Sequence, residues 1–152
     1  MNRKEAREQA FILVFEKSFH DDPIPEIIEA AKEGRELATD AYMEEAVSGV
    51  FSHLEEIDGT IQKYLTGWKI ERISRVSLAV LRLALYEMRF MADIPVSVSI
   101  NEAVELCKRF ATKDDAAYVN GVLGSAARGL ELEKTEEAAG SDAPGKAEEA
   151  GQ

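Results

Sequence analysis

The chain has 152 residues, 45% hydrophobic and 31% charged, with a formal charge of -11. That is the length and balance of one globular domain, and it excludes a disordered polyelectrolyte and a generally basic nucleic-acid coat, though not a small local basic site. No apolar run approaches the roughly 20 residues that span a bilayer. Met1–Glu5 lead into a charged segment rather than a signal-peptide core, and the lone Cys107 forms no internal disulfide, so the expectation is a cytoplasmic protein.

Helical periodicity runs through nearly all of the chain. Ala6, Ala10, Leu13, Val14 and Lys17 share one face of a first helix ending near Phe19. His20–Pro25 breaks it, and a shorter helix is expected over Glu26–Lys32, before Gly34. Met43, Val47, Val50, Leu54, Ile57, Ile61, Tyr64 and Trp68 recur at spacings of three and four, a helix-packing seam with an expected interruption at Gly59. Ser74–Met91 is apolar over most of its circumference, as a buried central helix should be, with Arg75, Arg82, Tyr86 and Arg89 on one narrow stripe. Arg82 is expected to be held in an internal ion pair with Glu102 or near Glu87, whereas Arg75 and Arg89 are better placed for a protein contact.

Val96–Ile100 follows Pro95 and reads as a helix entry, with Ser99–Glu102 at capping-box spacing. Ile100, Ala103, Val104, Cys107, Phe110 and Ala111 continue its apolar face. A last helix, with Asp114 or Asp115 as N-cap, buries Val119, Val122, Leu123, Ala126 and Leu130. From Glu131 onward seven acids and two bases carry -5 of the net charge with little apolar bulk, which reads as a disordered acidic tail over 131–152. Residues 1–130 therefore form the expected domain, an all-α bundle of six to seven helices.

Enzyme chemistry is not expected. His20 and His53 are isolated, no Cys or His sits at metal-ligand spacing, and no glycine-rich phosphate loop is present. No metal or cofactor is called for. Cys107 lies on an apolar face and reads as a small buried hydrophobe.

A basic and aromatic patch remains. Arg3, Lys4 and Arg7 crowd the start of the first helix, and Arg3, Arg7, Phe11 and Phe15 are spaced by four. Guanidinium groups beside rings suit single-stranded nucleic acid, because cations meet phosphates while rings stack on bases. For Phe11 and Phe15 alone, core packing is the better reading. Tyr118–Val119–Asn120–Gly121 is the other oddity, since a mid-helix glycine costs about 1 kcal/mol relative to alanine. Close helix packing or close approach of a ligand would each explain Gly121.

Five motifs in series carry a family resemblance: Trp68–Ile73, Leu81–Glu87, Ile94–Val96, Ile100–Leu106 and Tyr118–Leu123. With Arg7–Glu8 they resemble the bacterial NusB family over roughly residues 3–130. The resemblance implies two packed three-helix groups sharing a long central helix. It implies a transcription antitermination factor that binds boxA-type single-stranded RNA of nascent ribosomal RNA transcripts together with the small-subunit ribosomal protein NusE. NusA, NusG and RNA polymerase are the further partners it implies, and self-association of the free chain stays open. Carried over by position, Arg3, Lys4, Arg7, Phe15, Lys113, Asp114 and Tyr118 are the expected RNA-facing set. Glu71, Arg75 and Ser77 are the expected protein-partner set, although Ser77 stands where the family often has an acid. The competing reading is a helical protein–protein module without its own RNA role. An RNA methyltransferase is rejected, since no cofactor-binding domain is read after residue 130.

Overall fold

The computed structural model describes residues 1–142 apart from 36 and 39, with side chains described through 133. The described residues form seven α-helices, a 3-10 turn and no strand. Helix α1 (Arg3–Lys17) opens on a reciprocal cap: the Asn2 side chain accepts from the Glu5 N–H at 2.8 Å, and the Glu5 carboxylate accepts from the Asn2 N–H at 2.9 Å. Helix α2 (Ile24–Arg35) is longer at both ends than expected, with Pro25 in its first turn, where a missing N–H costs nothing.

The seam from Met43 onward is two helices, α3 (Ala41–Ser52) and α4 (Leu54–Tyr64). The break falls at His53, not at the expected Gly59, which lies inside α4. Met43, Val47, Val50, Ile57 and Ile61 are all buried. The apolar face passes through the one-residue joint without losing phase, so periodicity could not reveal the break.

Gly67, at φ +76°, turns the chain out of α4 toward the 3-10 turn Ile70–Arg72. Helix α5 (Arg75–Phe90) is capped by Ser74, whose hydroxyl accepts from the Ser77 N–H at 3.1 Å. It packs against α1 and α3 and also against α4 and the last two helices, and its leucines 81, 83 and 85 are almost fully buried. The shared central helix expected from the resemblance is therefore α5.

Helix α6 (Val96–Phe110) begins directly after Pro95, so Ser99 is inside the helix and caps nothing. Its hydroxyl instead donates to Glu87 at 2.7 Å. Helix α7 (Lys113–Asp142) starts one residue before the expected caps, and Thr112 takes their place by accepting from the Asp115 N–H at 3.0 Å. It continues through the first twelve residues of the expected tail, where Glu, Ala, Lys and Leu are strong helix formers and extending an existing helix needs no new nucleus. Residues 143–152 of that expected tail lie outside the described residues.

Side-chain pairs fix the directions. Arg7 meets Glu87 and Arg75 reaches the Ser18 carbonyl, so α1 and α5 are antiparallel. Phe11 meets Phe110 while Glu102 lies near Lys4, so α6 runs parallel to α1. One end of the bundle therefore gathers the end of α1, the end of α6 and the starts of α5 and α7, with the 3-10 turn beside them.

Candidate nucleic-acid interface

Arg3 and Lys4 are exposed at the start of α1. The Arg3 guanidinium lies 4.5 Å from the centre of the Tyr42 ring, and the Lys4 ammonium is 3.5 Å from a Glu102 oxygen, an exposed pairing that competes weakly with other anions. Arg7 departs from its expected role. It is only 5% exposed, with Nε donating to Glu87 at 2.7 Å and Nη1 3.7 Å from Glu102. Burial opposes its charge, but the bond to Glu87 and that group's negative charge prevail, and its pKa is raised. The i, i+4 spacing with Arg3 suggested a common surface stripe. The helix instead turns Arg7 toward an acid 80 residues away.

Glu87 is the hub of this network. Nearly fully buried, it accepts from Arg7, from the Ser99 hydroxyl and from the Tyr42 hydroxyl. The network ties α1, α3, α5 and α6 together beneath Arg3 and Lys4. Arg82, expected near Glu87 or Glu102, instead forms a two-bond pair with Asp58 at 2.9 and 2.8 Å. Arg89 is also occupied, 2.9 Å from a Glu56 oxygen.

From Lys4 a groove runs between α1 and α6, lined by Lys4, Arg7, Glu8, Glu102, Lys108 and Arg109. Arg109 pairs with Glu8 and lies 5.2 Å from the centre of the Phe110 ring, which is 37% exposed and packs on Phe11. Phe15 is half-buried between Phe11 and the exposed Phe19, so it is a core residue with one accessible edge. Nothing in their local spacing marks Lys108, Arg109 and Phe110 as ligand-facing. Only the parallel packing of α6 on α1 brings them beside Lys4.

Past Phe110 the strip reaches the exposed Lys113 and Asp114. Asp114 and Tyr118, one helical turn apart, line a cleft with Trp68, Arg72, Ser74 and Ser77. The Tyr118 hydroxyl is buried with no partner among the described residues and burial raises its pKa, so ring surface is what the side chain leaves accessible. Gly121 is exposed, with no neighbour among the described residues where a Cβ would stand, so close helix packing within them does not explain it. Packing does explain Gly49 and Gly129, whose Cβ atoms would strike Tyr86 and Tyr64.

Arg3 and Lys4 are thus not side by side with Tyr118. They stand about 12 Å up α1 from Phe11, at 1.5 Å per residue, and the α1–α6 groove joins the two ends. Of the expected protein-partner set, Glu71 and Arg75 are exposed, and Arg75 lies 4.5 Å from the Phe19 ring centre. Ser77 is 1% exposed at the floor of the Trp68–Tyr118 cleft, too deep for a protein partner to reach directly. Cys107 is fully buried, and burial pushes its thiol up to about 11, in keeping with a packing role. No helix among the described residues is long and apolar enough to cross a membrane.

A sequence model of the NusB family matches residues 4–128. The transcription antitermination protein NusB of Bacillus subtilis (strain 168) is 45% identical over 125 residues, spanning 82% of this chain and 94% of that protein. Its counterpart from Natranaerobius thermophilus is 44% identical over 135 residues, spanning 86% and 97%. Among solved structures, T. maritima NusB superposes with a TM-score of 0.74 at 34% identity, over 84% of this chain and 92% of that one. A crystal structure of antitermination factors NusB and NusE in complex with dsRNA superposes at 0.76 with 26% identity, over 84% and 96%. On the family match, the identities and the shared helical architecture, the chain belongs to the NusB family.

Proposed function

We propose that this chain is an RNA-binding transcription antitermination factor that acts with the ribosomal protein NusE on boxA-type single-stranded RNA of nascent ribosomal RNA transcripts. In this reading the bound pair joins NusA, NusG and RNA polymerase and keeps elongation processive. The observation that carries it is the strip of exposed cations and rings from Arg3 and Lys4, along Lys108–Phe110, to Lys113 and Tyr118, on a chain that is otherwise acidic. An unpaired strand suits that strip better than a duplex, since splayed bases can stack on exposed aromatic rings and the cations are too few to follow two backbones.

The strip is a weak site by itself. Glu8, Glu102 and Glu105 interleave with its cations, and Lys4 and Arg109 each have a carboxylate partner. A partner protein supplying further contacts to the same strand would raise its effective affinity without a stronger site here. Glu71, Arg75 and the exposed Phe19 offer such a protein a charged and aromatic landing area beside the strip. The relatives named as antitermination proteins and the neighbour crystallised with NusE and dsRNA support joint action with NusE on RNA, and the preference for an unpaired strand rests on the strip.

The test is a titration of labelled boxA RNA and of a scrambled strand, each with and without the ribosomal protein. Preference for boxA that strengthens when the ribosomal protein is present supports the proposal. No boxA preference over the scrambled strand, together with ribosomal-protein binding that RNA does not alter, would favour a protein–protein module with no RNA role of its own.

A further inference from the structure

Between the 3-10 turn and the starts of α5 and α7 lies a cleft of about 260 Å³, lined by Trp68, Arg72, Ser77, Asp114, Asp115 and Tyr118 among others. We infer that this cleft is a nucleobase pocket: one unpaired base, guanine by preference, inserts against the Trp68 indole and the Tyr118 ring with its pairing edge on the Asp114 carboxylate. This rests on the RNA-binding reading above and adds Trp68 and Arg72 to the site as a specificity wall.

The first ground is Trp68 itself. An indole gains much from burial, yet this one is 54% exposed. Its loop is nonetheless held firmly, because the Gln62 side chain donates to the Trp68 carbonyl at 3.1 Å and accepts from the Ile70 N–H at 2.9 Å. A ring kept out of the core on a pinned backbone is a preorganised platform, and preorganisation lowers the ordering cost of binding.

Size and charge select the occupant. The cleft is below the roughly 300–1,000 Å³ of sites that enclose a drug-sized ligand, so it takes one planar ring system and not a whole nucleotide. Asp114 and Asp115 repel a phosphate, while Arg72 in the same cleft repels a lysine or arginine from a protein partner. A neutral, flat group with an N–H edge satisfies both. An ionised carboxylate only accepts hydrogen bonds, and guanine presents two adjacent N–H donors that one carboxylate can take together. The neighbouring phosphates of the strand then fall near Lys113, which is exposed one residue before Asp114.

Trp68 is the only tryptophan of the chain, so its emission reports on the cleft directly. The experiment follows tryptophan fluorescence of the full chain during titration with boxA RNA, with anisotropy of a label on the RNA recording overall binding. Stacking predicts that emission is quenched in step with the anisotropy and that replacing the guanines by adenine removes the quench. Trp68→Ala should weaken RNA binding about 5- to 150-fold, the range for losing one base–aromatic stack, while Trp68→Phe stays within about threefold of the wild type. RNA that binds by anisotropy without altering the emission, and binds Trp68→Ala as tightly, overturns the pocket but leaves the RNA-binding reading standing. Absence of RNA binding overturns both, and quenching by the ribosomal protein alone overturns the pocket in favour of a protein occupant.

Discussion

Arg7→Ala is the perturbation that most sharply separates this structure from what local spacing suggests. Arg7 and Glu87 have side chains 6% and 1% exposed, and their closest approach is 2.7 Å. Removing the arginine strands a carboxylate under α1 with, among the described residues, only the Tyr42 and Ser99 hydroxyls as donors. Breaking a buried pair from one side costs about 3–5 kcal/mol, mostly because the remaining charge is left uncompensated. For a chain of this size each kcal/mol moves the midpoint by about 2–4 °C, so Tm should fall by about 6–20 °C. Arg3→Ala is the control, since Arg3 is exposed and surface changes stay within about 0.5 kcal/mol. Urea unfolding followed by circular dichroism measures both, and an Arg7→Ala, Glu87→Ala cycle isolates the coupling. If Arg7→Ala proves no more destabilising than Arg3→Ala, the buried network is not holding these four helices together and the reasoning is refuted.

Two glycines should respond in opposite directions. Gly49→Ala puts a Cβ about 2.1 Å from the Tyr86 ring and should cost about 1–3 kcal/mol, whereas Gly121→Ala, with nothing near its Cβ, should stabilise by about 1 kcal/mol in the same denaturation assay. Alkaline lability is expected from two raised acids. Burial favours the neutral Cys107 thiol and the neutral Tyr42 phenol in the fold, so their stabilisation is present below the ordinary values of 9.0 and 10.0 and is lost as pH rises beyond them. Melting against pH should therefore show Tm falling above about pH 9, and native Cys107 should react slowly with a thiol reagent at pH 8. RNA affinity should depend moderately on salt: with Arg3, Lys4, Lys108, Arg109 and Lys113 as the exposed cations of the strip, the log–log slope should be no steeper than roughly -3.5, at about -0.7 per phosphate on a single strand. A slope steeper than about -5 would mean a much larger cationic surface than the strip provides.

Much of the architecture was legible because it is written in local spacing. The apolar stripes of α1, α5, α6 and α7 recur at helical intervals, and Val119, Val122, Leu123 and Ala126 are all buried as read. What escaped depends on distant partners. Arg7 resembles its neighbours in sequence and differs only because Glu87 lies opposite it. Ser99 has the spacing of a cap, but Pro95 starts the helix earlier and Glu87 takes the hydroxyl. Ser77 looked accessible near the start of α5, but it faces the cleft floor behind Trp68. Arg109 and Phe110 enter the strip through helix packing alone, and Trp68 is recognisable in sequence only as part of a motif, whereas its exposure beside Tyr118 makes it a candidate contact.

An unpaired strand lying along the strip is the central claim. The decisive measurement is boxA RNA affinity, in the presence of the ribosomal protein, for a Lys4→Ala, Lys113→Ala double variant against Arg89→Ala, which removes a cation already engaged by Glu56 away from the strip. The strip predicts at least a tenfold loss for the double variant and no change for Arg89→Ala. Equal affinities for the two variants would contradict it.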